Sequence, residues 1–222
     1  DQGRNNKSPR TVYELQLKKL SQSLEIMGSQ VECVYDSLFD AMKQNEQETI
    51  SRIIRNDRVV KDMEREIESQ CLTLITRQQP VAGDLHRISA AIKVVTDLER
   101  VGDHVVDMAE LIERLQTTDL QSFSAHFETM VEETRSLLRK AVDAYIDSDL
   151  EEAKKAIDGD DVIDDLFNQV KDDLIAHLKK DSKDSDSCVD VLMLAKYLEK
   201  IGDHAVNIGE WAIFKETGRH FD

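Results

Sequence analysis

Residues 97–110 read DLERVGDHVVDMAE, and residues 197–210 read YLEKIGDHAVNIGE, so a Glu-(Arg/Lys)-(Val/Ile)-Gly-Asp-His core recurs one hundred positions apart. A long internal repeat sets the architecture first, because each copy forms an equivalent unit and carries the same side chains to equivalent places. The likeness spreads outward. Ala41 matches Ala144, Asn45 matches Ser148, Asp57 matches Asp160 and Ile67 matches Val170, all at a spacing of 103 residues. Three residues are then lost before the second motif. The first half spends them in Gln79-Pro80-Val81-Ala82-Gly83-Asp84, where Pro and Gly break the pattern and Asp84 is placed to cap the next helix. The second half has the polar run Lys180 to Ser187 instead.

Apolar positions recur at three- and four-residue steps in each half, with breaks near Gln44-Asn45 and Asp147-Ser148. This spacing predicts three long helices per half. The expected fold is all-α, two tandem antiparallel three-helix bundles spanning residues 10–116 and 117–217. In the third helix, Leu85, Ile88, Ile92, Val95, Glu99, Gly102, Val106 and Ala109 form a packing seam. Its counterpart is Cys188, Leu192, Ala195, Glu199, Gly202, Val206 and Gly209. A Glu thus occupies a seam position twice, each time beside a Gly that lowers helix propensity by about 1 kcal/mol relative to Ala. Local rules broken together mark places where function outweighs stability.

Composition agrees with a helical chain. The 222 residues are 40% hydrophobic and 33% charged, with eight Gly and two Pro, too few turn formers for an all-β fold. No apolar run approaches the roughly 20 residues of a membrane span, and the amino-terminal DQGRNNKSPR has no apolar segment of the secretory kind. A cytoplasmic location is expected. Cys33, Cys71 and Cys188 are widely spaced, suit a reducing compartment and are expected to be buried packing residues. The formal net charge of −16 disfavours nucleic-acid and anionic-membrane binding and favours divalent cations or basic partner surfaces.

On a helical wheel with Glu99 at zero, Asp103 falls near about 40°, Asp107 near about 80° and Glu110 near about 20°. Glu199, Asp203, Asn207 and Glu210 repeat that face. The second helix of each half supplies facing groups: Asp160 with Asp164 at i, i+4, and Asp57 with Lys61 at the equivalent place. Like carboxylates so close repel one another and pay for desolvation, so a cation should compensate them. Oxygen-only donors select hard ions such as Mg²⁺, Mn²⁺ or Ca²⁺, with iron also admitted. The competing reading is a solvated acidic face paired with Arg100, Lys200 and Lys93. Lys61 is a built-in cation that could replace an ion in the first half, leaving the second as the better site. His104 and His204 fall near about 140°, off the stripe, and read as interhelical or surface hydrogen-bonding groups. Trp211 and Phe214 read as packing residues.

Catalysis has little support. A carboxylate-bridged metalloenzyme in a helical bundle would carry Glu-x-x-His, and no His here has a Glu three residues before it. Neither a Gly-rich phosphate loop nor a nucleophile with a neighbouring base is present. A metal-independent helical scaffold is the other alternative.

The segments QQPVAGDL, VVTDLERVGDHVVDMAE and YLEKIGDHAVNIGEW, with Leu24-Glu25-Ile26-Met27-Gly28 and the closing Thr217-Gly218-Arg219-His220, closely resemble the PhoU family of phosphate-transport accessory proteins. The resemblance spans nearly the whole chain. It implies a pair of three-helix bundles that bind metal ions through paired acidic motifs: Glu99 and Asp103 with Asp57, and Glu199 and Asp203 with Asp160 and Asp164. Two positions depart from the family's pattern. Lys61 stands where Asp or Asn is usual, and Asp107 stands where Asn is common, partly restoring negative charge. Unequal site affinities follow. The resemblance further implies a non-enzymatic negative regulator of the phosphate-starvation response, an adaptor between the phosphate ABC transporter ATPase and a phosphate-sensing histidine kinase. It also implies a homodimer.

Overall fold

The computed structural model describes residues 8–77, 80–115 and 119–220. The helices are α1 (Pro9–Gln44), α2 (Gln47–Arg55), α3 (Arg58–Arg77), α4 (Ala82–Arg114), α5 (Phe127–Asp147), α6 (Leu150–Asp158), α7 (Asp160–Lys180) and α8 (Ser185–Thr217). Short 3₁₀ turns at Leu120–Ser122 and Ser182–Asp184 complete the elements, and no strand occurs among the described residues. The expected boundary between residues 116 and 117, and Gln79 of the connection before α4, lie outside the described residues.

Both expected breaks occur where Asn45 and Ser148 take positive φ, each at 54°. The two ends close alike. The Glu46 N–H donates to the Ala41 carbonyl at 2.8 Å and the Asp149 N–H to the Ala144 carbonyl at 2.9 Å, the left-handed stop that satisfies orphan helix carbonyls. At the start of α1, Ser8 accepts from the Thr11 N–H at 3.3 Å and Pro9 opens the first turn.

The middle helix of each half is not continuous as the periodicity predicts. It breaks at Asn56 in the first half and at Gly159 in the second, equivalent positions with low helix propensity. A Cβ at Gly159 would stand 2.8 Å from Leu137 Cδ1, so the α6–α7 corner sits tight against α5. The connection before α4 also differs from expectation. The helix starts at Ala82, with Gly83 inside it, and Asp84 acts from within the first turn by accepting the Val81 N–H at 3.3 Å. Arg10 Nη1 holds the same carboxylate at 2.6 Å and keeps it below the usual carboxylate range.

The two 33-residue helices α4 and α8 run antiparallel through the centre and share the most extensive helix contact. Arg114, at the end of α4, meets Asp190 near the start of α8 at 3.0 Å, while His86 meets Phe214 at the opposite ends, rings 5.4 Å apart. The halves are therefore related by a pseudo-twofold across this pair. α4 is buried on more than the predicted seam: Ala90, Ala91, Val94, Leu98, Val101, Val105 and Met108 are buried as well, because α1, α2, α3 and α8 all pack on it. Leu85, by contrast, is exposed at the helix start. One continuous core results. Arg135 of α5 ties it to α1, reaching Asp36 at 2.6 Å and Glu32 at 2.9 Å.

Cys71 and Cys188 are buried, whereas Cys33 is exposed, since it lies on the outer wall of a groove between α1 and α2. Trp211 and Phe214 pack on the core, rings 5.2 Å apart. No described helix is long and apolar enough to cross a membrane. A Cβ at Gly209 would meet the Ala153 carbonyl oxygen of α6 at 3.2 Å, a backbone atom that cannot rotate away. Gly209→Val should therefore destabilise the fold by about 1–3 kcal/mol, read as a lower urea midpoint with unchanged slope; an unchanged midpoint would show that α6 is free to give way.

Candidate metal centre

The break at Gly159 makes Asp160 the first residue of α7, and Asp164 follows one turn later on the same face. Opposite them, α8 presents Asp203 beside Gly202, whose missing side chain lets Ile163 approach: a Cβ there would lie 3.2 Å from Ile163 Cγ2. The close helix approach brings one oxygen each of Asp160, Asp164 and Asp203 within 4.8 Å of one another. Among the described residues this is the only such group of three acidic, His or Cys side chains. Asp160 Oδ1 is buried without a hydrogen-bond partner, a cost that a cation or a water at this position would remove. Glu199 stands at the edge of the cluster, held by Lys196 Nζ at 2.5 Å.

The charges are uncomfortable. Burial foremost, then Asp203, raises the Asp160 pKa; burial and then Asp160 raise Asp164; burial and then Glu199 raise Asp203. A divalent cation would relieve all three. The donor set is oxygen only and offers several carboxylates on two helices, which fits a hard ion. Asp160, Asp164 and Asp203 would hold it, with Glu199 adjacent.

The first half is built differently. Lys61 Nζ lies 3.6 Å from Asp103 Oδ1 at the place of Asp164. Glu99 is buried and its carboxyl is pushed up to about 7, first by burial, then by a hydrogen bond and charge repulsion with Asp103, and by Glu64; Lys61 opposes the shift. Lys61 thus supplies the first half with its own cation, and the raised Glu99 carboxyl lessens the negative charge there, whereas in the second half Asp164 stands in place of that ammonium. Glu64, its pKa raised by burial and Glu68, escapes a sequence reading because its counterpart is the apolar Phe167, over which Lys196 lies at 5.3 Å. Asp57 stands apart, lining a recess with Arg58, Lys61, Asp62 and Arg65. Asp107 turns instead to His104 Nδ1, at 3.6 Å. The cations facing the two carboxylate stripes are Lys61 and Lys196; Arg100, Lys93 and Lys200 form no such pair among the described residues, and Lys200 lies over Tyr197 at 5.4 Å.

The histidines join the halves. His204 Nδ1 lies 2.9 Å from Asp97 Oδ1, which also accepts from Asn207 at 3.3 Å. Under the pseudo-twofold Tyr197 replaces Asp97, and His104 contacts that ring at 5.5 Å and His204 at 5.5 Å. Burial, then His204, lowers the His104 pKa.

Paired bundles with facing acidic motifs define a class of tandem-repeat helical proteins. The PhoU domain model matches residues 24–112 and again 127–212, and the chain belongs to the PhoU family. It is 34% identical over 215 residues to the phosphate-specific transport system accessory protein PhoU homolog of Clostridium acetobutylicum, covering 96% of this chain and 98% of that one. It is 30% identical over 212 residues to PhoU homolog 1 of Methanothermobacter thermautotrophicus, covering 95% and 97%. The crystal structure of the phosphate transport system regulatory protein PhoU from Streptococcus pneumoniae superposes with a TM-score of 0.86 at 25% identity, covering 95% of this chain and 99% of that one.

The folded chain holds the Glu99 proton more tightly than the unfolded chain, whose value is near the ordinary 4.5. Glu99 therefore supports the fold in acid, and that support is lost as pH rises from about 4.5 through about 7. In chelator-treated protein, Glu99→Gln should be more stable than the parent at pH 8 by roughly 1–3 kcal/mol and show a flatter profile across that window; lower stability at pH 8 would contradict the burial-raised Glu99 carboxyl.

Proposed function

We propose that this chain is a non-enzymatic, cytoplasmic negative regulator of phosphate uptake and of the phosphate-starvation response. In this reading it is an adaptor that docks on the ATPase of a phosphate ABC transporter and on a sensor histidine kinase, associating with the membrane only through those partners. The observation that carries the reading is the family match on both repeats, together with relatives named as phosphate-specific transport system accessory proteins, of which the alignments cover 98% and 97%. Repeats within residues 10–116 and 117–217 would act as the two arms of the adaptor, and a homodimer would double the docking faces. Long helices with varied exposed surfaces suit docking better than turnover.

The metal centre enters this reading as a structural element. A bound Mg²⁺, Mn²⁺ or iron ion supplies positive charge between α7 and α8, locking the corner that follows Gly159. Asp160, Asp164, Asp203 and Glu199 are the residues for it; in the first half Glu99 and Asp103 are the weaker candidates, since Asp57 stands apart and Asp107 turns to His104. In chelated protein, Mn²⁺ should raise the melting temperature through a ligand that prefers the folded state. Asp203→Asn should abolish most of that rise, Asp103→Asn should leave most of it, and Lys61→Asp should add a second binding event in calorimetry. An Mn²⁺ response indifferent to Asp203→Asn would refute the assignment.

The adaptor reading is tested by deleting the gene and following a phosphate-starvation reporter in high phosphate. Derepression should be rescued by the wild type and, if the ion shapes the docking surface, poorly by a folded Asp160→Asn/Asp203→Asn variant. A reporter unchanged by the deletion would reject the regulator.

A further inference from the structure

A second polar site lies where the two halves meet, away from the carboxylates. Leu17, Leu20, Ser21 and Leu24 of α1, Arg87 of α4, Tyr145 of α5 and Lys215 of α8 line a small cavity. Two cationic side chains, one from each half, converge on it. Lys215 Nζ donates to the Tyr145 main-chain carbonyl and lies 4.3 Å from the centroid of the Tyr145 ring. It forms no ion pair with a carboxylate among the described residues. Arg87 is only loosely compensated, 3.8 Å from a Glu14 carboxylate that Arg10 already engages at 2.5 Å. Burial first, and Arg87 in addition, push the Lys215 ammonium down to about 8, while Glu216 and Asp147 act in the opposite sense.

Positive charge concentrated in a cavity is unexpected in a chain of net charge −16. A buried ammonium that shares a cavity with a second cation is costly unless an anion neutralises it. The cavity offers about 30 Å³ to the centres of water-sized atoms. That is two to three times what one water needs, which admits a compact ion and excludes a nucleotide or a phosphorylated side chain with its backbone. Arg supplies a planar fork and Lys a point charge, the usual pair for oxyanions, and Ser21 adds a hydroxyl.

We propose that this cavity binds a small inorganic oxyanion of the phosphate or sulfate class, clamped between Arg87 and Lys215 and bridging the two repeats. The site stands independently of the adaptor role and of the metal centre, which lies on α7 and the other face of α8. Occupancy ties α1 and α4 to α5 and α8 at the end of the bundle where the chain closes.

Chelated full-length protein is titrated with orthophosphate at pH 7 against sodium chloride of matched ionic strength, following melting temperature and the phosphorus NMR line width. Phosphate should stabilise the wild type beyond the chloride control and broaden its line. Lys215→Met and Arg87→Gln should each weaken the response roughly tenfold or more, the worth of a charge-assisted contact, while the surface variant Lys140→Met should match the wild type. Arg87, being partly exposed, provides a variant that folds if Lys215→Met does not. No stabilisation beyond matched chloride, or responses in Arg87→Gln equal to the wild type, would overturn the proposal.

Discussion

The antiparallel packing of α4 on α8 is the constraint on which the rest of the structure depends. Each helix carries one copy of the same motif, and laying them head to tail places the two copies back to back at the centre of the molecule. One face of each must then be apolar toward its partner helix, which fixes Leu98, Val101 and Val105 on α4 and Leu198, Ile201 and Ala205 on α8 as buried core. The carboxylates are left to face outward, toward α3 on one side and α7 on the other. Asp97, His204, His104 and Tyr197 sit on the pseudo-twofold and join the repeats by polar and ring contacts.

Within that symmetric frame, a few substitutions make the repeats chemically unlike. Lys61 against Asp164 and Glu64 against Phe167 change the first-half site from a trio of carboxylates into a set in which an ammonium pairs with Asp103 and burial raises the Glu99 carboxyl. Asp97 against Tyr197 moves a carboxylate from one histidine to the other, and Asp107 against Asn207 compensates beside His104. The second half keeps Asp160, Asp164 and Asp203 mutually repulsive, with one buried oxygen unsatisfied. Duplication followed by such divergence yields one site suited to an external cation and one that carries its own.

Much of this was legible in the repeat. The helical periodicity is strong, and the stops at Asn45 and Ser148 stand out because both repeats place a residue tolerant of the left-handed conformation there. The corner at Asn56 and Gly159 was hidden, since the apolar pattern runs through it and one Asn or Gly does not by itself end a helix. Burial on several faces of α4 was also hidden, because a single seam describes a helix with one neighbour, whereas this one has several. Glu64 was invisible for a related reason: comparing the repeats finds what they share, and Glu64 is where they differ. Cys33 shows the converse failure, a residue type usually buried that the groove beside α2 leaves exposed.

The central claim is that the two repeats, alike in fold, differ in their need for a metal ion. Anomalous diffraction at the manganese edge, from crystals grown with Mn²⁺, tests it directly. A strong peak among Asp160, Asp164 and Asp203, with none or a much weaker one beside Lys61, is the predicted result; equal peaks at both sites, or no peak in the second half, would contradict it.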